Sequence, residues 1–221
     1  MYVGRIVAIG KNRDDRLVAM YRVSARAFPN RRSKEIGSTI AIIPKEGFEV
    51  DLRKNPYISY NCLRITKDYA VVGNGSHTDP IAERLDSGMN RRDALITVLF
   101  GLDYEHDDYR TPRIAAIADR GNMAGTLGIG RHNALLIKDV DIKECEAFYI
   151  ATYEHNYPSD KFCDREFQAT TVEEACDYIL RKGVFADLER PILAACAIET
   201  DTSFSIGYKD LETCELTIPI P

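Results

Sequence analysis

No apolar run in this 221-residue chain is long enough to cross a bilayer: the longest, ALITVLFGL at residues 94–102, falls far short of the ~20 residues a membrane helix needs. The opening MYVGRIVAIGKNRDD lacks a small-residue cleavage site and is broken by Arg5 before it runs into charge, so it does not read as a secretory leader. The six cysteines (Cys62, Cys145, Cys163, Cys176, Cys196 and Cys214) include no C-x-x-C pair and no metal-like spacing. Free thiols in an intracellular, cytoplasmic protein are the expectation. The Asn74-Gly75-Ser76 sequon then has no route to glycosylation. Positive charge is not in excess either: 29 Lys and Arg against 34 Asp and Glu leave a net charge of −5, which disfavours long nucleic acid as a partner. Internal repeats, low-complexity tracts and linkers are absent, so residues 1–221 are expected to form a single domain.

What is present is a succession of short β-like runs. YVGRIVAIG and LVAMYRVS flank the polar turn KNRDD and read as a hairpin; after the loop FPNRRS come IGSTIAIIP, YISYNCLRIT and YAVVGNG. Asp79, as N-cap before Pro80, opens a helix, and Asn90 caps a second, in which Leu95, Val98, Leu99 and Leu102 share one face. RIAAIAD, a glycine-rich hairpin MAGTLGIGRHNALLIK and EAFYIATYE resume strand character. Thr171 and Glu174 form a capping box for VEEACDYILRK, with Gly183 at its C-terminal end. LAACAIE, FSIGYKD and CELTI close the chain as strands. Strict βαβ alternation is missing, so antiparallel sheets covered by helices, an α+β fold with two sheets face to face, fit best.

Four constellations carry chemistry. In YRVSARAFPNRR, Arg22, Arg26, Arg31 and Arg32 put four positive charges into residues 22–32. On a continuing strand Arg22, Ser24 and Arg26 share a face, a receptor for phosphate or carboxylate. The alternative is a charged edge strand that discourages aggregation. In VVGNGSHTDP an apolar strand runs through Gly73 and Gly75 to Ser76, Thr78 and a helix N-terminus, an arrangement suited to an anion but equally to an ordinary turn and cap. Cys62 with His77 and Asp79 makes a thiol-nucleophile set on paper, against the habit of cysteine to be buried and inert. DYEHDDY at 103–109 gathers acidic groups and His106 beyond an apolar helix, a base or metal donors if not simply solvated.

MYVGRIVAIG, YRVSARAFPNR, NPYISYNCLR, VVGNGSHTD and DALITVLFGLDYEHDDYRTPRIAAI, in that order, closely resemble the archaeal-type IMP cyclohydrolase family, densely over residues 1 to 120. The resemblance implies closure of the purine ring of 5-formamidoimidazole-4-carboxamide ribonucleotide to IMP and water. It also implies a four-layer αββα sandwich like the N-terminal-nucleophile hydrolases, with a pocket between the sheets. The opening Met1-Tyr2 offers no terminal nucleophile, so the fold would be kept and its usual chemistry dropped. On this resemblance Arg31, matching FPNR, meets the formyl oxygen; Glu105 takes the carboxamide proton; and Tyr60 donates or relays. Tyr21, Arg22, Ser24 and Arg26, with Asn74, Gly75, Ser76 and Thr78, hold phosphate and ribose, and Asn61 reads the carboxamide. No metal or organic cofactor is required, because both reacting groups are tethered in one molecule. The partner is a small nucleotide, with no nucleic acid and no membrane, and self-association into a homo-oligomer is left open. The competing readings are a non-catalytic nucleotide-binding module, a thiol amidohydrolase using Cys62, and an RNA-binding protein relying on the clustered arginines.

Overall fold

The computed structural model describes residues 1–211. The strands are β1 (Ile6–Lys11), β2 (Leu17–Ser24), β3 (Arg31–Ile36), β4 (Thr39–Pro44), β5 (Tyr60–Ile65), β6 (Tyr69–Gly73), β7 (Arg113–Asp119), β8 (Ala124–Arg131), β9 (Ala134–Val140), β10 (Ala147–Ala151), β11 (Cys163–Asp164), β12 (Pro191–Glu199) and β13 (Phe204–Asp210). The helices are α1 (Asp51–Lys54), α2 (Thr78–Asp86), α3 (Arg91–Leu102) and α4 (Val172–Arg181). Two antiparallel sheets result, ordered β11-β10-β1-β2-β12-β13 and β3-β4-β5-β6-β7-β8-β9.

Side-chain alternation sorts the strands into layers. Leu17, Ala19, Tyr21 and Val23 of β2 point into the core between the sheets with Val72, Ile114 and Ala116, whereas Val18 and Met20 point outward to Ile179 and Leu180 of α4. On the second sheet Val71, Ala115 and Ile117 turn outward to Ile81, Leu95 and Leu99 of α2 and α3. Helices thus cover both outer faces of a sheet sandwich, as the strand-rich sequence leads one to expect.

Several elements depart from expectation. The FPNRRS stretch is only half loop, since β3 begins at Arg31; in RRSKEI only Arg31 and Ser33 are buried, so this polar edge strand carries no apolar alternation to betray it. Its Ser33 amide donates to the Asp210 carboxylate of β13 at 3.0 and 3.1 Å, stitching the edges of the two sheets together. The two-residue β11 has no sequence signal. Helix α2 starts at Thr78, before Asp79, and Pro80 sits harmlessly in its first turn, where no intrahelical donor is needed. Leu102 is 41% exposed, so the buried stripe of α3 ends at Leu99. The capping box of α4 is present in full, and Gly183 follows its C-cap with φ of +51°. The CELTI strand lies outside the described residues.

The largest correction concerns Arg22. It does share a face with Ser24, whose hydroxyl accepts from its Nε at 3.0 Å, but that face is covered by α4. The guanidinium is fully buried and donates to the carbonyls of Ile179, Leu180 and Phe185 at 3.0–3.2 Å, and of Leu188 at 2.5 Å. It therefore closes the C-terminal end of α4 and the turn beyond it, where orphan carbonyls and the negative end of the helix dipole favour a cation. Arg22 and Ser24 are thus framework residues, not a phosphate receptor. Arg22→Ala leaves several buried carbonyls unsatisfied and should cost about 3 kcal/mol or more of unfolding free energy, read by denaturant titration. The protein that still folds should keep its substrate KM.

Candidate active site

Antiparallel pairing brings the starts of β1, β3, β5 and β7 and the ends of β2, β6 and β10 to one end of the sandwich. The connections there enclose a cavity of about 360 Å³, within the range of small-ligand pockets. Arg5 precedes β1, Arg26 and Phe28 follow β2, Arg31 opens β3, Tyr57 precedes β5, Glu105, Asp107 and Tyr109 follow α3, and Tyr153 follows β10; all line it.

Glu105 is the centre of this cavity. Its side chain is 1% exposed, and Oε2 accepts from Arg5 Nη2 at 3.2 Å while Oε1 stands 3.9 Å from Arg113 Nη1. Burial pushes its pKa up to about 7, against the opposing pull of Arg5 and Arg113. The loop that carries it is locked. Glu105 N–H donates to Thr111 O at 2.8 Å, Asp107 accepts from both the amide and the hydroxyl of Thr111, and the Thr111 hydroxyl also meets Tyr153 Oη at 3.1 Å. Two non-glycine residues with positive φ, Asp103 at 57° and Arg110 at 49°, bracket it. Such backbone costs about 1–3 kcal/mol per residue and persists where the surroundings enforce it.

Arg31 is nearly fully buried, donates from Nε to Phe28 O at 3.0 Å and faces the cavity. Arg26 lies on the rim: its guanidinium stands 4.2 Å over the Tyr2 ring and pairs with Glu189 at 2.9 Å. Tyr21 and Tyr60 share a 2.6 Å hydroxyl contact inside the core, and burial raises both. Arg31 and Arg5 pull Tyr60 back down, which puts its hydroxyl within their field, although neither tyrosine is among the cavity-lining residues.

Other expected site residues are engaged elsewhere. Asn61 points to the opposite face and donates to the Asp79 carboxylate of α2 at 3.0 Å, so it is not placed to read a ligand in the cavity. Asn74 spends its amide on Pro112 O at 2.9 Å and Ile114 N at 2.7 Å. Thr78 is buried with its hydroxyl on Gly75 O at 3.0 Å, and Ser76 is exposed. The turn is therefore no anion cradle; only Gly75 touches the site, packing against Glu105. Cys62 is buried, donates to Ile40 O at 3.3 Å and has its thiol pushed well up by desolvation, and His77 is bound to Ile114 O, so no thiol-nucleophile set forms.

Sequence reasoning missed Arg5 and Arg113. In the sequence Arg5 reads only as an interruption of an apolar run, yet a charge inside such a run is itself the signal, because burying one requires a partner. Arg113 opens the strand RIAAIAD in the same way.

A buried carboxylate with its pKa raised to about 7, faced by arginines along a partly open cavity, suits acid–base chemistry on a small polar substrate, and no thiol stands beside it. The sequence profile of the family described as IMP cyclohydrolase-like protein matches residues 2–203. The IMP cyclohydrolase of Methanosphaera stadtmanae is 44% identical over 211 residues, covering 95% of this chain and all of the relative. Those of Methanocaldococcus jannaschii (40%, 95% and 99% covered) and Natronomonas pharaonis (41%, 94% and 98% covered) are similar throughout as well. The chain belongs to the IMP cyclohydrolase-like family. Because Cys62 serves the core alone, Cys62→Ala should leave turnover intact and Cys62 should resist alkylation in the native protein; loss of activity with retained fold would restore the thiol reading.

Proposed function

We infer that this protein catalyses the IMP cyclohydrolase reaction, closing 5-formamidoimidazole-4-carboxamide ribonucleotide to IMP and water in purine biosynthesis. The observation that carries the mechanism is Glu105, buried between Arg5 and Arg113 with its pKa pushed up to about 7. As the carboxamide nitrogen attacks the formyl carbon, Glu105 takes the N–H proton. The formyl oxygen gains negative charge, and Arg31, with Arg5 beside it, offers the donors that stabilise it. Glu105 then returns its proton to that oxygen. One of the two ring N–H protons then passes to that hydroxyl as its C–O bond breaks, so that water leaves and the ring becomes aromatic. The tethered substrate needs chiefly to be held in the attacking conformation, and the aromatic walls formed by Tyr2, Tyr57 and Tyr153 hold it.

Arg26, on the rim and already shared between Glu189 and the Tyr2 ring, is the proposed phosphate anchor. Tyr60 acts from behind the arginines by polarising them through the Tyr21 pair, and Gly75 contributes by having no side chain. The two-sheet architecture with its end cavity supports the expected likeness to N-terminal-nucleophile hydrolases. No described helix is long and apolar enough to cross a membrane. A freely diffusing nucleotide substrate favours a cytoplasmic enzyme, and a family match spanning nearly the whole chain favours a single domain.

Purified protein should close the formylated ribonucleotide in a spectrophotometric assay with chelator present; abolition by chelator would implicate a metal. Glu105→Gln should collapse kcat while IMP affinity, read by calorimetry, holds, and Arg31→Lys should lose part of the about 10²–10³ in kcat that one oxyanion donor supplies. Near-normal turnover in Glu105→Gln sinks the base assignment. Arg26→Ala should mainly raise KM. Since the base must be ionised, kcat/KM should climb with pH through about 7 and level off above it.

A further inference from the structure

Arg5 and Glu105, which pair at 3.2 Å, come from different sheets. Arg5 stands one residue before β1 of the six-stranded sheet, and Glu105 sits on the loop that leads into β7 of the seven-stranded one. The other charged groups around the carboxyl are Arg113 on β7, Arg31 on β3 and Asp107 on its own loop, all on the seven-stranded side. Arg113 is tied to that loop directly, its Nε donating to Asp103 O at 2.8 Å. Of these groups Arg5 alone reaches the carboxyl from the other sheet, so its distance depends on how the two sheets are held at this end.

A second contact crosses the same gap. Tyr153 follows β10, the strand paired with β1, and the chain here continues that pairing: Thr152 N–H donates to Arg5 O at 3.1 Å, Tyr153 N–H to Val3 O at 3.2 Å, and Arg5 N–H to Thr152 Oγ1 at 3.1 Å. Gly4 has φ of +76°, and a Cβ there would collide with Thr152 Oγ1 and stand 2.8 Å from the Tyr153 ring. Glycine at this position is what lets the two segments lie so close. Tyr153 is thus fixed to the segment that presents Arg5. From there its phenol reaches the Glu105 loop, with Oη 3.1 Å from Thr111 Oγ1. Thr111 has a single hydroxyl proton, and Asp107 Oδ2 takes it at 2.7 Å, so Tyr153 is the donor. The carbonyl of the same threonine accepts the Glu105 N–H at 2.8 Å.

We propose that the Tyr153 hydroxyl is a positioning group for the base: by bonding Thr111 it braces the Glu105 loop against the segment that carries Arg5, and so sets how closely that arginine holds the carboxyl. The inference rests on Glu105 being the base. The Tyr153 ring has a separate role in the cavity wall, where it stacks on Tyr2 with centroids 5.8 Å apart. Loss of the hydroxyl alone keeps Glu105 buried and keeps Arg113 and Arg31 on their own sheet, but it loosens the hold of Arg5. Burial raises the Glu105 pKa, and Arg5 is the strongest of the charges that draw it back down. A looser Arg5 therefore raises the midpoint further, and the base is ionised over a narrower pH range.

The test is Tyr153→Phe in the full chain, which keeps the ring and its stack. Its kcat should fall about tenfold with KM for the formylated ribonucleotide nearly unchanged, and the acid limb of kcat/KM should move up by about half a pH unit. Infrared titration of the Glu105 carboxyl in substrate-free protein, with Glu105→Gln identifying the band, should show the same upward shift, a reading that needs neither substrate nor a Thr111 variant. Thr111→Val removes the acceptor of the phenol, so the double variant should be no slower than Thr111→Val alone. Thr111→Ser keeps the hydroxyl and should retain most of the turnover. A phenol acting directly on the substrate predicts otherwise: the full Tyr153→Phe loss would persist in the Thr111→Val background, and the substrate-free Glu105 midpoint would stay where it is. Either result overturns the proposal, as does undiminished kcat in Tyr153→Phe or a folded Thr111→Ser as slow as Thr111→Val. Full turnover in Glu105→Gln would instead remove the base assignment on which it stands.

Discussion

The cost of holding one carboxylate out of water organises the working end of this protein. A lone ionised carboxyl in an apolar interior is prohibitively unfavourable, and the usual escape is protonation. Here the escape is half taken. Arg5 at 3.2 Å compensates part of the desolvation without removing it, and the group is left near pH 7, where a base is useful. A fully exposed Glu105 would stay ionised and weakly basic. One fully satisfied by both arginines would be too stable an anion to take a proton. The Thr111 and Asp107 clamp and the left-handed backbone at Asp103 and Arg110 matter because a charge balance this close is sensitive to small displacements.

Two buried arginine environments in the same molecule show how framework and function separate. Arg22 has every nitrogen committed, to Ser24 and to the carbonyls past the end of α4, and its role is complete in the protein itself. Arg5 and Arg113 each keep a buried nitrogen without a partner. Native proteins satisfy nearly all buried polar groups, so a spare donor beside the cavity is one that a water or a bound group can take up. By that criterion charge alone says little about an arginine; the completeness of its hydrogen bonding says more.

The layered fold was largely legible because the short apolar, β-branched runs of β1, β2, β6 and β7, buried on both faces, and the caps of α3 and α4 are local signals. β3 escaped because an edge strand at the rim of a sandwich buries only Arg31 and Ser33. Within the site, Glu105 and Arg31 were legible through the family resemblance, and the structure brings them to one cavity. Arg22, Ser24 and Asn61 were misplaced for a single reason. Alternation tells which residues share a face but not which face a helix will cover, and α4 and α2 cover these. Arg5 was passed over because it lies 100 residues from the carboxylate it serves, a distance no local pattern spans. Arg113 is only a loop away from Glu105, but it is the fold-back of that loop through Thr111 that turns the two toward each other, and no residue spacing announces it.

VVGNGSHTD is the segment whose meaning changes most. Its glycines and hydroxyls suggest a loop that wraps an anion, yet its polar groups are turned inward. Asn74 binds Pro112 O and Ile114 N, the two residues on either side of Arg113, and so fixes the backbone from which that guanidinium reaches Glu105. Gly75 lets the carboxylate, the guanidinium and the imidazole approach within 3.0–3.2 Å of where any other residue would place a methyl group. His77 is held by the same strand through Ile114 O. Asn74 therefore fixes the backbone that carries the cation, Gly75 leaves space beside the carboxyl, and His77 is anchored to the same strand. The segment packs behind the wall that carries that carboxyl, and its residue types resemble a binding loop while none of its hydroxyls lines the cavity.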